Sequence, residues 1–431
     1  MKRPRGASGQ SRRFLFLQGP HGPFFAALSR ALRASGADCR RVGFNGGDRL
    51  FWRGRDTFIA YRGRPEDWPR TLDDLLVRHG ITDVVLYGET RPVHAAAVGL
   101  ARSRGLTVHI FEEGYLRPYW ATYERDGANG RSRIVSLSID EMRQALTRPA
   151  AVPPAPADRW GDMREHMVYG ALYHGAVLLG PRPSVPTHRD QSVAREFRLH
   201  LRRLLLTPVH AAGRRLATDR IIGSGAPYHV ALLQLEHDPT FRFWSPFGSM
   251  TGFIDTVTGA FAEGAPPHHH LVFKAHPLED GRVPLLRVIR AAADRQALTG
   301  RVHFVRGGKL ARLLEGARSA VTVNSTAAQQ ALWRGLPVKC FGTAVYAKPE
   351  LVSGQPLTDF FAAPRTPDPD AYADFRRFLV ETSQIGGGFY SLRGRARLLR
   401  HVVDMMLDPR DRYDRRVGED AAASQQLRLV G

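Results

Sequence analysis

The order of short apolar runs and helical segments is the feature that most limits how this chain can fold. Apolar runs of strand length alternate with segments of helical periodicity from residue 14 to residue 111, and the pattern returns from residue 228. Such alternation is typical of parallel sheets covered by helices, so we expect an α/β protein with two doubly wound domains. The predicted strands are 14–18, 40–44, 83–87, 107–111, 229–234, 271–274, 302–305, 320–323 and 338–341. The clearest predicted helices are 24–35, 93–104, 308–316 and 327–334.

Length and proline content indicate how the domains are arranged along the chain. At 431 residues the chain exceeds the size at which one hydrophobic core usually stops growing. The stretches AVPPAPA and PRPSVPT read as linkers. We therefore predict four parts. They are a Rossmann-like domain over 1–150, a proline-punctuated basic helical segment over 151–225, a second Rossmann-like domain over 226–385 and a helical tail over 386–431.

The charge of the chain points to anionic partners. It contains 62 lysines and arginines against 41 acidic residues, a net charge of +21. Nucleic acid, a phospholipid surface and a negatively charged metabolite all fit this balance. Residues 189–205 predict a basic amphipathic helix that could lie on anionic lipid.

Cysteine content and apolar length limit where the protein works. Cys39 and Cys340 are the only cysteines, which predicts neither a disulfide framework nor a paired-cysteine metal site. The N-terminal apolar run is too short for a secretion signal, and residues 167–180 are too short to span a bilayer. We therefore expect a cytoplasmic protein with at most peripheral membrane contact.

Distinctive peptides follow the predicted strands in both halves of the chain. The carboxyl ends of parallel strands form the ligand-binding edge of an open sheet, so these peptides predict a site at each edge. Two such edges facing each other would enclose a cleft. The peptides are GPHGPF (19–24), GFNGGD (43–48), YGETRPVH (87–94), EEGYLRP (112–118), QLEHD (234–238), KAHP (274–277) and NSTAA (324–328).

The first of these peptides is a poor phosphate loop. Pro20 and Pro23 remove two backbone donors that a phosphate cradle would need. The alternative is a plain strand-to-helix corner, in which Gly19 and Gly22 permit the turn and Pro23 takes the first helical position. That reading does not explain His21, which we expect at the cleft.

Adjacent carboxylates follow the strand that ends at residue 111. Crowding or burial of Glu112 and Glu113 would raise the pKa of at least one of them, which suits proton transfer. The alternative is a solvated loop or a salt bridge to Arg117. Glu89 and Arg91 predict a structural ion pair, and His94 could cap the next helix. Other side chains expected at this cleft wall are Asn45, Asp48, Arg91 and Arg117.

In the second half, Asp238 precedes Pro239, where a carboxylate can act as nucleophile or base, or can form an Asx turn. Lys274 and His276 are two apart at a strand end, so strand alternation would point them to one face and suit an anion. Pro277 ends the pairing of that strand.

The peptide NSTAA predicts a helix cap that is also compatible with phosphate binding. Asn324, Ser325 and Thr326 can cap the helix that follows them.

The histidine run at 268–270 does not predict a metal site, because consecutive residues diverge in direction. The sequence has no suitably placed Asp-x-Asp pair, so we predict a metal-independent site without a cofactor.

Taken together and in this order, the motifs resemble the capsule polysaccharide biosynthesis proteins of the KpsS/LipB type, which are β-Kdo glycosyltransferases of bacterial capsule assembly. The resemblance covers most of the chain. It rests on LQGPHGPFF, FNGGD, EEGYLRP, TYERDGANGRSR, QLEHD, KAHP, VNSTAAQQALWRGLPVKCFG and GGGFY.

This resemblance implies a GT-B fold of two Rossmann-type domains facing a central cleft. It also implies a retaining transferase that moves Kdo from CMP-Kdo to phosphatidylglycerol or its lyso form, at the cytoplasmic face of the inner membrane. Other capsule assembly proteins would be further partners. Two alternatives stay open, an enzyme that extends the poly-Kdo linker and one that uses another CMP-sugar acid.

The resemblance also implies roles for individual residues. Asp238 lies four residues after Gln234, the spacing of the nucleophile in related transferases, while His237 departs from the acid or small polar residue that relatives often carry there. Glu113 or Glu112 would activate the acceptor hydroxyl. The donor would be held by Gln234, Lys274, His276, Pro277, Asn324, Ser325 and Thr326.

A protein that only binds nucleic acid or anionic lipid is the rival from another class. The charge of +21 suggests it. It would need aromatic side chains interleaved on a basic face, which the sequence does not show, and it leaves Asp238 and KAHP unexplained. Nucleic acid is therefore disfavoured as a partner.

Overall fold

The computed structural model of the chain describes residues 11–146, 162–180, 185, 210–279 and 281–414. These residues form two compact units. Unit 1 contains the described residues of 1–133, 140–188 and 377–431, and unit 2 contains those of 134–139 and 189–376. The C-terminal part of the chain thus returns to the unit in which the chain begins.

Unit 1 is built on a seven-stranded sheet in the order β12-β6-β5-β4-β1-β2-β3. The first five strands are parallel and lie in the order 3-2-1-4-5 that is typical of Rossmann domains. The strands of this sheet are β1 (Arg13–Phe16), β2 (Asp38–Gly43), β3 (Phe58–Ala60), β4 (Asp83–Tyr87), β5 (Thr107–Glu113), β6 (Trp120–Arg125) and β12 (Gln384–Gly386).

Two antiparallel strands extend the parallel part of this sheet. β6 pairs with β5 and β12 pairs with β6, both antiparallel. The sequence did not predict either strand, because β6 follows β5 through a short connection instead of a helix and β12 has only three residues. The extension places the GGGFY peptide next to the carboxyl end of β5.

Helices cover both faces of the unit 1 sheet, which explains why its central strands read as continuous apolar runs. Phe14 and Phe16 pack toward one face and Leu15 and Leu17 toward the other. The helices of unit 1 are α1 (Phe24–Ala34), α2 (Gly46–Leu50), α3 (Trp68–Arg78), α4 (Pro92–Ser103), α6 (Ile139–Ala145), α7 (Asp162–Leu179) and α16 (Leu392–Leu407). α1 and α16 cover the first face, and α3 and α4 cover the second.

Unit 2 repeats the same strand order in a five-stranded parallel sheet, β11-β10-β7-β8-β9. Its core packs α10 (Met250–Gly264) against the sheet, with Phe253, Val257 and Phe261 near Leu271 and Phe273. The strands are β7 (Tyr228–Leu232), β8 (His270–Lys274), β9 (Val302–Val305), β10 (Ala317–Thr322) and β11 (Val338–Cys340).

The remaining helices lie in unit 2 or lead into it. α5 (Arg133–Ser136) begins in unit 1 and continues into unit 2, and α8 covers 210–223. The helices that follow are α9 (Pro239–Trp244), α10 (Met250–Gly264), α11 (Leu285–Arg295), α12 (Ala311–Leu314), α13 (Gln329–Leu332), α14 (Leu357–Ala362) and α15 (Pro369–Thr382). α15 ends at the return to unit 1.

Two Rossmann-type units in one chain confirm the predicted GT-B class of α/β fold. Strand positions agree with the predictions to within a few residues, while two predicted helices are shorter. The helix predicted over 308–316 is reduced to α12, and the one over 327–334 is a 3-10 turn, Thr326–Ala328, followed by α13. The basic helix predicted at 189–205 and the proline-rich stretch 151–157 lie outside the described residues. No helix within the described ranges is long and apolar enough to cross a membrane.

Histidines at or next to the amino-terminal ends of β7, β8 and β9 contact one another and Ser319 of β10, and two of them, His229 and His269, are buried. His229 contacts Ser319 Oγ at 2.7 Å and His269 Nδ1 at 3.1 Å, while His270 Nδ1 lies 2.7 Å from His303 Nε2. Adjacent members of the run at 268–270 thus point to different partners, as the sequence predicted. Burial lowers the pKa of His229 to about 3 and the pKa values of His269 and His303 to about 4.

These histidines predict that unit 2 loses stability in acid. Their pKa values in the folded chain lie below about 6.5, the value of an exposed histidine, so the unfolded chain binds more protons below that pH. The stability that the neutral rings provide is complete above about pH 6.5 and falls as the pH drops toward about 3, the pKa of His229. The urea midpoint of unit 2, followed over this range, measures the effect.

A pair of variants shows whether the rings cause the loss. His303→Gln should flatten the pH dependence of the midpoint, since it removes one ring whose pKa desolvation lowers. His401→Gln, at an exposed position of α16 in unit 1, should keep the wild-type dependence. Equal slopes for wild type and His303→Gln would contradict the assignment.

Candidate functional site

In unit 2, two amide side chains join the strands at the point where the strand order reverses. Gln234 follows β7 and Asn324 follows β10, and both side chains are buried. Gln234 Nε2 donates to Asn324 Oδ1 at 2.8 Å, and the Asn324 backbone N–H donates to Gln234 Oε1 at 3.0 Å. We call this pair the amide clamp. It holds the QLEHD and NSTAA peptides side by side at the edge where ligands of such sheets bind.

The amide clamp also fixes the position of Asp238. Asn324 Nδ2 donates to the carbonyl oxygen of Thr240 at 3.0 Å, in the first turn of α9. Asp238 is the N-cap of that helix, and its Oδ1 accepts from the Thr240 backbone N–H at 2.8 Å. The Asx-turn reading of Asp238 is therefore the geometry observed, and it occupies one carboxylate oxygen.

Lys274 and His276 are placed differently from each other. Lys274 is the last residue of β8, is buried, and donates from Nζ to the carbonyl oxygen of Ala275 at 3.0 Å. Burial, with Arg214 of α8 nearby, lowers its pKa to about 8. Because the strand ends at Lys274, the alternation that predicted a shared face does not extend to His276. His276 Nδ1 instead accepts from the Leu278 backbone N–H at 3.1 Å, and Pro277 between them is exposed.

Ser325 is the cap of the turn that follows β10. Its Oγ accepts from the Ala327 backbone N–H at 3.2 Å, and its carbonyl oxygen accepts from Tyr346 Oη at 2.7 Å. The predicted capping is thus observed at Ser325, with Thr326 opening the 3-10 turn, while Asn324 belongs to the amide clamp. Phosphate binding by these residues stays a prediction.

At the edge of the unit 1 sheet, Asp48 lies buried below the surface. Its carboxylate accepts from Gln18 Nε2 at 3.2 Å, from the Phe44 backbone N–H at 2.9 Å and from Arg41 Nη2 at 3.2 Å. Tyr173 Oη donates to the same group at 3.2 Å. Asn45, which was expected beside it, caps α2 through the Asp48 backbone N–H. These contacts give Asp48 a structural role, because its buried carboxylate holds neighbouring segments of unit 1 together.

The two adjacent glutamates at the end of β5 contact different partners. Glu113 Oε1 accepts from Tyr87 Oη at 3.0 Å and from Tyr390 Oη at 3.4 Å. Glu112 Oε1 accepts from Asn129 Nδ2 at 3.2 Å. Neighbouring residues of a strand point to opposite faces, which explains the separation. Within the described part of the chain no group hydrogen-bonds Glu113 Oε2, so this oxygen is the one able to take a proton.

Arg117 forms no salt bridge with these glutamates among the described residues. The side chain is exposed, and its Nε donates to the carbonyl oxygen of Gly114 at 3.1 Å. The alternative of a salt bridge between Arg117 and the glutamates is therefore not observed.

The predicted ion pair between Glu89 and Arg91 is wrong. Glu89 is buried, and the cation closest to its carboxylate is Arg131 at 3.9 Å. Arg91 is the N-cap residue of α4, and its guanidinium lies 5.7 Å from the centre of the Tyr87 ring. His94 does not cap the helix either, since it is buried with Nδ1 2.6 Å from the carbonyl oxygen of Gly88.

His21 contacts α7, a helix whose part in the site the sequence did not predict. The His21 ring stacks on Tyr173 at 4.5 Å between centroids and meets His174 edge-on at 4.9 Å. His166 stacks on Tyr390 at 4.2 Å. Histidines and tyrosines recur in α7 at helical spacing, and Tyr390 belongs to the GGGFY peptide, so both signals were present in the sequence.

Glycines allow α7 to approach the edge of unit 1. Gly22 has a φ of +124°, and a Cβ there would lie 3.0 Å from the Tyr169 ring. A Cβ on Gly46 would lie 2.2 Å from the carbonyl oxygen of Ala176. The loops after β1 and β2 can therefore pack closely against α7 only because these positions lack side chains.

The contacts described so far define one group of side chains in unit 1, which we call the histidine–tyrosine cluster. Burial and the Glu113 carboxylate raise the pKa values of Tyr87 and Tyr390 well above the usual range, so both phenols stay protonated hydrogen-bond donors. Among described residues no set of His, Cys, Asp or Glu side chains is placed to hold a metal ion. The members of the cluster are His21, Tyr87, Arg91, Glu113, His166, Tyr173, His174 and Tyr390.

Comparison with known proteins shows the family. The family model described as "Capsule polysaccharide biosynthesis protein" matches residues 82–390, which is more than half of the chain. The chain belongs to this family. The resemblance inferred from the motifs is thereby confirmed.

Curated relatives match over most of their length. The capsule polysaccharide export protein KpsS of Escherichia coli is 29% identical over 384 residues, covering 88% of this chain and 97% of the relative. The capsule polysaccharide modification protein LipB of Neisseria meningitidis serogroup B is 29% identical over 382 residues, covering 88% of this chain and 91% of the relative. These names place the relatives in capsule polysaccharide export and modification.

A solved structure resembles the chain at a lower level. The β-Kdo 2,7 transferase of Thermosulfurimonas dismutans KpsC aligns with a TM-score of 0.43 and 12% identity, covering 92% of this chain and all of that one. The strand order of each unit gives the Rossmann-type fold independently of this likeness.

Replacing Asp48 should destabilise unit 1. Asp48→Asn leaves Arg41 buried without its carboxylate, which typically costs about 3 kcal/mol or more. Asp38→Asn is the matched control. Asp38 begins β2 and pairs with Arg40 at the surface, where loss of an ion pair lowers the free energy of unfolding by less than about 1 kcal/mol. Urea unfolding of both variants measures the difference, and equal losses would contradict a structural role for Asp48.

Proposed function

We propose that this protein is a retaining β-Kdo glycosyltransferase that starts the poly-Kdo linker of capsular polysaccharide. It transfers Kdo from CMP-Kdo to phosphatidylglycerol or lysophosphatidylglycerol, without a metal ion. The observation that carries the proposal is the amide clamp, which holds Asp238 at the ligand edge of a Rossmann-type sheet in a capsule biosynthesis protein. The choice of Kdo rests on the resemblance of the motifs to β-Kdo transferases.

Asp238 is the proposed nucleophile. Retention at the anomeric carbon needs two displacements. In the first, the carboxylate of Asp238 bonds to the anomeric carbon of Kdo and the bond to the CMP phosphate breaks, which releases CMP. In the second, the acceptor hydroxyl bonds to that carbon and the ester to Asp238 breaks. The cap contact uses Oδ1 only, so Oδ2 serves as the attacking atom.

The cationic groups of unit 2 suit this donor. Kdo carries a carboxylate beside its anomeric carbon, and CMP-Kdo carries a phosphodiester, so the site needs positive partners. Lys274 lies at the end of the strand beside β7, and its Nζ donates to the carbonyl oxygen of Ala275. Its pKa of about 8 keeps the amine charged at neutral pH, and an anion bound next to it would raise that pKa again.

Glu113 is the proposed base that activates the acceptor hydroxyl. Two phenols hold its Oε1, so the carboxylate is fixed in orientation while Oε2 takes the proton. Arg91 and the histidines of the same cluster provide cationic and hydrogen-bonding groups for an acceptor phosphate. The mechanism requires Glu113 and Asp238 to act on the same sugar, which the trapping experiment below tests.

We place the protein at the cytoplasmic face of the inner membrane, bound peripherally. Its net charge of +21 favours an anionic surface. An enzyme that extends the linker instead of starting it would accept a Kdo-bearing lipid and reject the bare phospholipid. An enzyme for another CMP-sugar acid would leave CMP-Kdo unconsumed.

Asp238→Asn should abolish transfer while keeping the fold. Asparagine caps a helix as well as aspartate does, so the contact to Thr240 is retained and only the nucleophile is lost. We expect the rate of transfer from CMP-Kdo to a fluorescent phosphatidylglycerol analogue to fall by about 100-fold or more. Glu236→Gln, in the same peptide, is the matched control and should lose much less. Normal turnover by Asp238→Asn, measured by mass spectrometry, would refute the mechanism.

Glu113→Gln should trap the glycosyl-enzyme. Glutamine keeps an oxygen for the two phenols but cannot take a proton, so the first displacement proceeds and the second stalls. Intact-protein mass spectrometry should then show a Kdo adduct that peptide mapping places on Asp238. Glu112→Gln, next in sequence but bonded to Asn129, should turn over without an adduct. Unchanged turnover by Glu113→Gln would remove Glu113 from the mechanism.

A further inference from the structure

α7 has two faces with different surroundings. One face carries His166, Tyr169 and Tyr173, which contact His21, Tyr390 and the loops of unit 1. The other face is exposed, and its large side chains are apolar. They are Met167, Val168, Leu172, Leu178 and Leu179, and Leu179 is 92% exposed.

These exposed side chains form a continuous stripe along the helix. Positions 168, 172 and 179 recur at helical spacing, with 167 and 178 beside them. From residue 166 to residue 180 the sequence contains no Asp, Glu, Lys or Arg. The exposed face of a helix on a water-soluble domain is normally polar, so a helix whose outer face is apolar needs a partner for that face.

The charge of the protein indicates what that partner is. The sequence that follows the helix, residues 181–209, contains six arginines and two acidic residues, and Arg164 is exposed on the helix itself. An apolar helix face followed in sequence by an excess of arginine is the pattern of helices that lie in the interface of an anionic bilayer. A second copy of this chain would bring together two molecules that each carry a charge of +21, which disfavours self-association.

We propose that the outer face of α7 is a membrane-binding surface that lies in the headgroup region of a bilayer containing anionic lipid. The same helix lines the histidine–tyrosine cluster with its inner face. A lipid acceptor therefore reaches Glu113 from the bilayer along α7, a step that rests on the proposed function. The binding surface itself does not depend on the reaction.

Vesicle sedimentation tests the surface directly. The full-length protein is mixed with vesicles of phosphatidylcholine alone or of phosphatidylcholine with phosphatidylglycerol. We expect wild type to bind the anionic vesicles more tightly. The double variant Leu172→Ser with Leu179→Ser should bind them roughly tenfold more weakly or worse, since it removes two apolar side chains from the interface.

Matched controls are available on other helices of unit 1. Val77 of α3 is 62% exposed and Leu392 of α16 is 75% exposed, comparable with the α7 residues. The double variant Val77→Ser with Leu392→Ser should bind vesicles as wild type does. Thermal unfolding of both double variants verifies that they are folded. Equal binding by the α7 variant and wild type, or equal loss in both double variants, would overturn the proposal.

Activity separates this inference from the proposed function. The ratio of transfer to a vesicle-bound acceptor over transfer to a short-chain, water-soluble acceptor should fall about tenfold in the α7 variant. Vesicle binding without transfer to either acceptor would refute the proposed function and leave the surface intact. A wild-type dimer in light scattering that the α7 substitutions dissociate, with no vesicle binding, would assign the face to a second copy instead.

Discussion

The hydrogen bonds between Gln234 and Asn324 are the contacts on which the arrangement of the unit 2 site depends. They join the ends of β7 and β10, between which the strand order reverses. Because Asn324 also holds the Thr240 carbonyl oxygen, the helix capped by Asp238 cannot shift without breaking a buried amide contact. An unpaired buried amide costs more free energy than its hydrogen bond contributes, so this geometry is strongly preferred. The proposed nucleophile is therefore held in place before any substrate binds.

Unit 1 holds its candidate base by a different means. Glu113 is fixed by two tyrosine hydroxyls, one from β4 and one from the peptide after β12, so segments about 300 residues apart in sequence meet at one carboxylate. Elsewhere in unit 1, the buried contacts of Asp48 tie α7 to the loop after β2. α7 thus connects the candidate site to an exposed apolar face. In the proposed function this connection links lipid binding to acceptor delivery.

The parallel strands could be predicted from the sequence because both faces of each sheet are covered, which makes the strands continuous apolar runs. The peptides that follow them, and hence most of the candidate site, could be located for the same reason. The antiparallel strand β12 could not, since its pairing with β6 joins residues more than 250 positions apart, and β6 was missed because a short connection instead of a helix joins it to β5. Nor could the partners of charged groups, as Glu89 shows, because proximity in sequence favoured Arg91 while the fold places Arg131 closer.

The sequence by itself determined the α/β class, the two Rossmann-type units, the family and the order of the motif peptides. These properties depend on local periodicity and short motifs, which any part of the chain carries on its own. Only the tertiary structure decided which side chains meet. It brought His21 to α7, Glu113 to Tyr390 and Gln234 to Asn324. Such pairings depend on the packing of distant segments, and burial then determines the protonation and orientation of each group.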